Sequence, residues 1–111
     1  MEKDLGKTST GIQPNIAALL SYALGIISGI IFFLIEKENK FVRFHAMQSI
    51  IAFGALFVLQ VALPIVPFVG WMLAPFVSLL GLVVWILCMI KAYQGEMFKL
   101  PIVGDIAEQK S

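Results

Sequence analysis

The chain has 111 residues, of which 59% are hydrophobic and 14% are charged, and its formal net charge is +1. Average soluble domains are roughly 45–50% apolar and about 25% charged, and a fold this small cannot bury so large an apolar share. The composition therefore predicts a single integral membrane domain rather than a soluble enzyme. With a net charge of +1 and no basic stripe, nothing in the sequence suggests a nucleic-acid partner.

The first 35 residues divide into a polar tail and an apolar helix. Residues 1–13 are rich in Ser, Thr and Gly, which predicts a flexible tail, and Pro14 suits the first turn of a helix. Residues 16–35 carry no charge, and about twenty residues at 1.5 Å each cross the roughly 30 Å of hydrocarbon. The stretch is too long for the core of a signal peptide and no small-x-small cleavage site follows it, so we expect a retained membrane span.

Two further spans are predicted after a charged connection at residues 36–40. Residues 46–90 carry no charged side chain, which is enough for about two membrane crossings. Pro64 and Pro67 lack backbone donors and disfavour helix before them, so they divide this stretch. The two helices are expected at about residues 45–63 and 68–90.

The C-terminal segment, residues 91–111, mixes charged and apolar side chains. It has too few apolar residues to span, and Pro101 and Gly104 interrupt any long helix, so we expect it to lie along the membrane surface. Together the elements predict an all-α fold. It is a small polytopic helical bundle of about three transmembrane helices, forming one membrane domain over residues 14–111 with an interfacial C-terminal segment.

Lysine and arginine are distributed unevenly between the two sides that three crossings would create. The N-terminal tail carries only Lys3 and Lys7. Because loops rich in Lys and Arg stay in the cytoplasm, we expect the N-terminus outside and the C-terminus inside a cell membrane. The basic residues on the other side are Lys37, Lys40, Arg43, Lys91, Lys99 and Lys110.

Small residues recur at every fourth position on two of the predicted helices. In lipid, helices associate through close backbone contact at such residues, because little hydrophobic force acts between them. Packing within one subunit is the interpretation we favour, and packing between subunits is the alternative. The two stripes are Ser21, Gly25 and Gly29 on the first helix and Gly70, Ala74 and Ser78 on the third.

Polar side chains stand out at the start of the second predicted span. His45 and Gln48 are three positions apart and so share one helix face. They form either a polar cluster that contacts a ligand or the tail, or interfacial side chains that bond to water and lipid headgroups. Gln60, deeper in the same helix, favours a helix–helix hydrogen bond over a substrate contact. Trp71 and Trp85 are expected to anchor the two ends of the third span.

The sequence lacks the residues and motifs that usually indicate catalysis, ion transport or metal binding. The three predicted spans contain no Asp, Glu, Lys or Arg, which are the usual marks of ion-coupled transport at membrane depth. No Ser–His pair, HExxH motif or phosphate loop is visible. Cys88 is the only cysteine, so it forms no internal disulfide, and one thiol is not a metal site. We therefore expect no catalytic residue, no cofactor and no metal.

Two segments of the sequence resemble a known family. Residues 36–49, which include Phe-His-Ala-x-Gln, and residues 95–105, which include Lys-Leu-Pro-Ile-x-Gly-Asp, resemble the signature segments of a widespread prokaryotic membrane family of unknown function. That family is grouped with Tic-Twenty, the chloroplast inner-envelope import subunit. The resemblance implies a helical membrane fold. It also implies a role related to moving precursor proteins across a membrane, although the plastid relatives usually have four helices.

The two segments lie on the same predicted face, one before the second helix and one after the third. We therefore expect a polar cap in which Arg43, His45 and Gln48 meet Glu96 or Asp105. Mutually satisfied hydrogen bonds would explain why polar residues cluster there. Such a cap is either structural or a docking surface for a partner.

The functional prediction is a non-enzymatic scaffold or accessory subunit of a membrane assembly, with protein translocation or insertion as the process that the resemblance suggests. The alternative is a subunit of an oligomeric channel or transporter, because three helices alone do not enclose an aqueous path. The expected partners are the lipid bilayer and either other membrane proteins or further copies of the chain.

Overall fold

The computed structural model describes residues 5–111, and all of its regular structure is helical. No strand occurs within the described range, which confirms the all-α prediction. Residues 1–4 of the predicted flexible tail lie outside the described residues. The helices are α1 (Pro14–Ala23), α2 (Ile26–Ile35), α3 (Lys40–Ala62, continued by a 3-10 turn at Leu63–Ile65), α4 (Val69–Tyr93) and α5 (Val103–Lys110).

Two of these helices are long and apolar enough to cross a membrane. Helix α3 with its 3-10 turn has 26 residues and α4 has 25, so each exceeds the roughly 30 Å of hydrocarbon at 1.5 Å per residue. Helix α3 begins at Lys40 rather than near His45, because Asn39 caps it. The side-chain oxygen of Asn39 accepts the backbone N–H of Val42 at 3.1 Å.

The two long helices run antiparallel and define the two ends of the bundle. Lys40 and Tyr93 lie at one end, which we call the cap end. The turn at residues 64–68 lies at the other, which we call the far end.

The predicted first span over residues 16–35 is not formed as a single helix. Helices α1 and α2 have ten residues each and meet at Leu24 and Gly25. Gly25 has φ 62° and ψ −125°, a conformation that favours glycine because it lacks Cβ. The side chain of Ser28 closes the break, since its hydroxyl accepts the Leu24 N–H at 3.0 Å. Each short helix is about 15 Å long, half of a membrane crossing.

Helices α1 and α2 form a hairpin that enters and leaves the bundle at the cap end. At the start of α1, the Asn15 amide donates to the carbonyl of Tyr93 at 3.1 Å. At the end of α2, the guanidinium of Arg43 donates to the carbonyl of Glu36 at 2.7 Å. Near the tip, the Ser49 hydroxyl donates to the Gly25 carbonyl at 2.9 Å. The hairpin therefore begins and ends at the cap end, as a re-entrant hairpin would, and it reaches only to the middle of α3 and α4.

The N-terminal segment and the C-terminal segment consequently lie at the same end. The amide of Asn39 donates to the carbonyls of Leu5 and Lys7 at 2.8 and 3.1 Å. The neighbouring Arg43 donates to the main-chain oxygen of Ser111 at 3.0 Å. This corrects the expected separation of the two termini, which assumed that residues 16–35 cross the membrane once. The bonds from Asn39 also hold residues 5–13 at the cap end, so this segment is not the free tail that the composition predicts.

The C-terminal segment folds back over the cap end. Gly95, with φ 79°, reverses the chain after α4, and residues 96–100 return toward α3. Helix α5 then packs on α3 with Gly104 and Ala107 buried. A Cβ at Gly104 would collide with Lys99, so this close turn depends on glycine.

The buried core lies in the cap half of the bundle. Its central cluster contains residues from α1, α3 and α4. Most of the far half of α4 is exposed, where Gly70 is the one buried residue before the helix midpoint. The cluster consists of Ala18, Tyr22, Phe41, Cys88 and Ala92.

Candidate functional site

A hydrogen-bonded chain of three buried side chains lies under the C-terminal segment. The Tyr22 hydroxyl lies 2.7 Å from His45 Nδ1, and His45 Nε2 lies 2.9 Å from the carbonyl oxygen of Glu96. A carbonyl only accepts, so His45 Nε2 carries the proton and neutral Nδ1 accepts the Tyr22 O–H. Tyr22 in turn accepts an N–H from Gln48 at 2.9 Å. The hydrogen bonds therefore all run in one direction, from the Gln48 amide through Tyr22 and His45, and they end on the backbone of the C-terminal segment.

Gln48 extends this contact along the same segment. Its amide nitrogen donates to the carbonyl of Phe98 at 2.8 Å, and its amide oxygen accepts the N–H of Leu100 at 3.0 Å. A side chain thus pairs with the backbone as a neighbouring strand would. We refer to Tyr22, His45 and Gln48, which are all fully buried, as the clamp.

Aromatic rings surround the imidazole of the clamp. The rings of Phe41, Phe44 and Tyr22 meet that of His45 edge-on, with centroids 4.6, 5.0 and 5.4 Å away. Both ring nitrogens of His45 are already bonded. The geometry therefore gives the clamp a positioning role, because both ring nitrogens bond to groups of the chain itself and link α1 and α3 to the C-terminal segment.

Arg43 joins the end of the hairpin to the end of helix α5. Its guanidinium donates to the carbonyls of Phe33 and Glu36 at 3.0 and 2.7 Å, and to the main-chain oxygen of Ser111 at 3.0 Å. It also lies over the Phe33 ring at 4.1 Å. The last carbonyls of a helix lack partners within the helix, so Arg43 satisfies groups at the end of α2 that lipid would leave unpaired.

Glu36 holds the N-terminal segment against the start of α3. Its carboxylate accepts the backbone N–H of Ser9 at 3.0 and 2.8 Å, that of Glu38 at 3.1 Å and that of Asn39 at 3.0 Å. Burial by itself would raise the pKa of this carboxyl, but the hydrogen bonds from Asn39, Ser9 and Glu38 outweigh it and lower the pKa below the ordinary value.

The predicted polar cap differs from the observed one in its partners. His45 contacts the backbone carbonyl of Glu96, whose carboxylate instead lies 3.4 Å from Lys91. Asp105 is exposed and lies 3.7 Å from Lys99, so it does not meet Arg43, His45 or Gln48. The physical reason is that a backbone carbonyl satisfies a buried donor without burying a charge.

Tyr22 and Glu36 belong to this region although neither is among the predicted site residues. Tyr22 falls inside the uncharged run that predicts a membrane span. Its one usable signal is that a phenol hydroxyl at membrane depth needs a partner. Trp85, expected to anchor one end of a span, instead donates its indole N–H to the carbonyl of Tyr22 at 2.6 Å. Trp71 does lie at the far end and donates to the carbonyl of Pro64 at 3.1 Å.

The small-residue stripes contact other parts of the same chain. A Cβ at Gly29 would lie 3.0 Å from the carbonyl oxygen of Ala46, so α2 and α3 approach closely there. A Cβ at Gly70 would collide with the carbonyl of Leu63. In the same stripes, Ser21 bonds to the carbonyl of Ala17 within α1 and Ala74 is half-buried, whereas Gly25 forms the helix break.

A cleft of about 640 Å³ opens beyond the hairpin tip, between the far halves of α3 and α4. Leu24 and Gly25 form one wall, and Phe57 and Leu82 contribute to the others. Its polar contact is between the amide of Gln60 and the hydroxyl of Ser78, which joins α3 to α4. The lining is otherwise almost wholly apolar.

Within residues 5–111, no three His, Cys, Asp or Glu side chains are grouped so that they could hold a metal ion.

Comparison with known proteins gives two sets of matches. The model of the magnetosome magnetite crystal formation protein family, MamF/MmsF, matches residues 9–107. A UPF0132 membrane protein of Methanocaldococcus jannaschii is 56% identical over 107 residues, covering 96% of each chain. Another, from Archaeoglobus fulgidus, is 52% identical over 99 residues, covering 89% of this chain and 96% of the relative. No solved structure matches. These names support a prokaryotic membrane family, and they are not names of Tic-Twenty proteins.

Proposed function

The chain belongs to the MamF/MmsF family and is a relative of the UPF0132 membrane proteins, and from this premise we propose that it is a non-enzymatic scaffold or accessory subunit of a membrane assembly. That family is described by magnetosome magnetite crystal formation, which is the building of a structure. We propose a role of this class, and not that process, for this chain. A translocation role rests on the Tic-Twenty resemblance alone, so the proposal does not include it.

The clamp is the observation that carries this proposal. His45 and Gln48 bond to the backbone of residues 96–100, and Tyr22 bonds to both of them, so the clamp fixes the position of helix α5. Helix α5 is anchored by Gly104 and Ala107, and its other face is exposed. A rigid, charged helix displayed on a membrane anchor is suited to contact a partner at the membrane surface.

The charge distribution supports an orientation for this surface. Every basic residue in the described range lies in a segment at the cap end, and the far end carries no charge. By the positive-inside rule, the cap end faces the cytoplasm, with the N-terminus and the C-terminus both inside. In this orientation α3 and α4 cross the cell membrane and expose only the turn at residues 64–68 outside. The basic residues are Lys7, Lys37, Lys40, Arg43, Lys91, Lys99 and Lys110.

Site-specific photocrosslinking in native membranes tests the proposal. A photoreactive residue replaces Gln109 on the exposed face of α5, and a second variant carries it at Val66 in the far turn. We expect one discrete protein adduct from position 109 and no discrete protein adduct from position 66, where only the short turn is exposed. Adding His45→Ala should weaken the protein adduct, because the clamp no longer holds the segment before α5. Lipid adducts alone at position 109 would refute the scaffold role.

A second candidate, an oligomeric channel or transporter subunit, is supported by the helix break at Gly25 beside the cleft. Broken helices that meet near the middle of a membrane form the ion and substrate sites of many transporters. Here Ser28 and Ser49 already bond to the polar groups of the break, which favours the scaffold. Ion flux into liposomes containing the purified protein would support the channel, provided that Gly25→Ala abolishes it.

A further inference from the structure

The two halves of the bundle contain different numbers of helices. In the cap half, α1 and α2 pack beside α3 and α4. The hairpin tip reaches the level of Phe53 and Trp85, since Tyr22 lies 6.5 Å from the Phe53 ring and bonds to Trp85. Beyond this level only α3 and α4 continue to the far end. One leaflet therefore holds four helices and the other holds two.

The apolar side chains of α3 and α4 are more exposed in the far half than in the cap half. In the far half, Val58, Met72 and Phe76 are 66%, 69% and 69% exposed, because no helix covers them. In the cap half, the corresponding faces of α3 and α4 contribute Phe41, Cys88 and Ala92 to the buried cluster. The cleft at the hairpin tip is continuous with the exposed far half and almost wholly apolar, so acyl chains suit it chemically.

We propose that the protein is a membrane wedge that favours bilayers curved so that the cap-side leaflet is convex. A helix about 10 Å across occupies roughly 80 Å² in cross-section, so the two extra helices take up about 160 Å² in one leaflet only. The partner is thus a lipid surface of defined curvature. Binding of amphipathic elements to one leaflet is sensitive to curvature for the same reason. The inference depends on the re-entrant hairpin and not on the scaffold role.

Gly25 determines whether the wedge exists. Alanine is disfavoured at φ 62°, so Gly25→Ala favours one continuous helix over residues 14–35. That helix would be about 33 Å long, enough to span. Each leaflet would then hold three helices, and the N-terminus would cross to the far side. Gly54→Ala is the matched control, because a Cβ at Gly54 meets nothing within 4 Å.

The test uses the full-length protein with a fluorescent C-terminal tag, reconstituted into phosphatidylcholine–phosphatidylglycerol vesicles of mixed size. Protein density per lipid is measured vesicle by vesicle against diameter, and protease added outside reports the fraction with the cap outward. We expect the density of the wild type and of Gly54→Ala to rise about twofold or more toward the smallest vesicles, with the cap outward there.

Gly25→Ala should lose this dependence on diameter. The wedge is refuted if wild-type density is independent of diameter, or if a Gly25→Ala protein whose N-terminus has crossed sorts as strongly as the wild type. If Gly25→Ala aggregates, the proposal is tested instead by the orientation of the wild-type protein, read as its cap-outward fraction. An equal cap-outward fraction in small and large vesicles would then refute the proposal.

Discussion

The backbone N–H of Ser9 donates to both carboxylate oxygens of Glu36, at 3.0 and 2.8 Å, although 27 positions separate the two residues. Ser9 precedes α1 and Glu36 follows α2, so this contact closes the hairpin at its base. Both ends of the hairpin therefore lie at the cap end before α3 begins.

Thiol labelling provides a direct test of this topology. We expect Lys7→Cys and Lys110→Cys to react with an impermeant maleimide from the same side of sealed membranes, and Val66→Cys to react from the other side. Native Cys88 is fully buried and serves as an internal background that does not label. Labelling of position 7 from the same side as position 66 would instead show that residues 16–35 cross the membrane once.

Removing one member of the clamp should destabilise the protein. Tyr22→Phe leaves His45 Nδ1 without a donor and deprives Gln48 of one acceptor. Leaving such buried groups unpaired costs about 1–3 kcal/mol, measured as the free energy of unfolding in mixed micelles. Tyr93→Phe is the control, because Tyr93 is 48% exposed. Equal stability of the two variants would show that the clamp contributes nothing.

A double-mutant cycle distinguishes the observed clamp from the predicted cap. Tyr22→Phe and Gln48→Ala remove two groups in direct contact, and we expect a coupling of about 0.5–3 kcal/mol. His45→Ala and Asp105→Ala should instead be additive, because Asp105 is exposed and paired with Lys99. A strong coupling between His45 and Asp105 would reinstate the cap as the sequence predicts it.

The two long spans were predictable from the sequence because their signal is collective. Some forty-five uncharged residues between Arg43 and Lys91 leave no alternative to hydrocarbon, and Pro64 and Pro67 mark the turn. No single contact decides this outcome, so a pattern is sufficient to find it.

The hairpin and the clamp were not predictable in this way, because each depends on one residue and its surroundings. Gly25 lies in a GxxxG pattern that favours a packed helix and a helix break alike. The partners of His45 and Gln48 are backbone groups at positions 96, 98 and 100, and a backbone carbonyl leaves no trace in the residue types. The helix face that carries His45 and Gln48 was therefore predictable, and the backbone groups that they contact were not.

The Glu36 contact should make the N-terminal segment sensitive to acid. Because hydrogen bonds lower the folded-state pKa of Glu36 below its ordinary value of 4.5, its contribution is complete above that value. The contribution is lost as the pH falls through the folded-state pKa. We expect proteolysis within residues 5–13 to accelerate over this acidic range, measured with an acid-stable protease. Glu36→Gln should show fast cleavage already at neutral pH, whereas Glu38→Gln, which changes an exposed residue, should behave as the wild type.

Substitution at Gly29 should separate α2 from α3. A Cβ there would lie 3.0 Å from the Ala46 carbonyl and 3.1 Å from the side chains of Ser49 and Ile50, so the helices must move apart. We expect Gly29→Ala to lower stability by about 1–3 kcal/mol, as overpacking does. Gly54→Ala should be neutral or stabilising by up to about 1 kcal/mol, because it only adds helix propensity. A neutral Gly29→Ala would mean that the two helices do not pack at this point.

Replacing Arg43 even by lysine should weaken the contact between the hairpin and helix α5. Its planar guanidinium reaches the carbonyls of Phe33 and Glu36 and the main-chain oxygen of Ser111 at once, whereas an ammonium group is a point charge without that fork. Hydrogen bonds to charged groups contribute about 1.5–3 kcal/mol each, so Arg43→Lys should loosen the contact with α5. Amide exchange in α5 would report this as faster exchange than in the wild type. Lys40→Ala, which removes an exposed cation at the start of α3, should leave α5 protected. If α5 exchanged at the same rate in Arg43→Lys and the wild type, the clamp alone would hold the C-terminal segment.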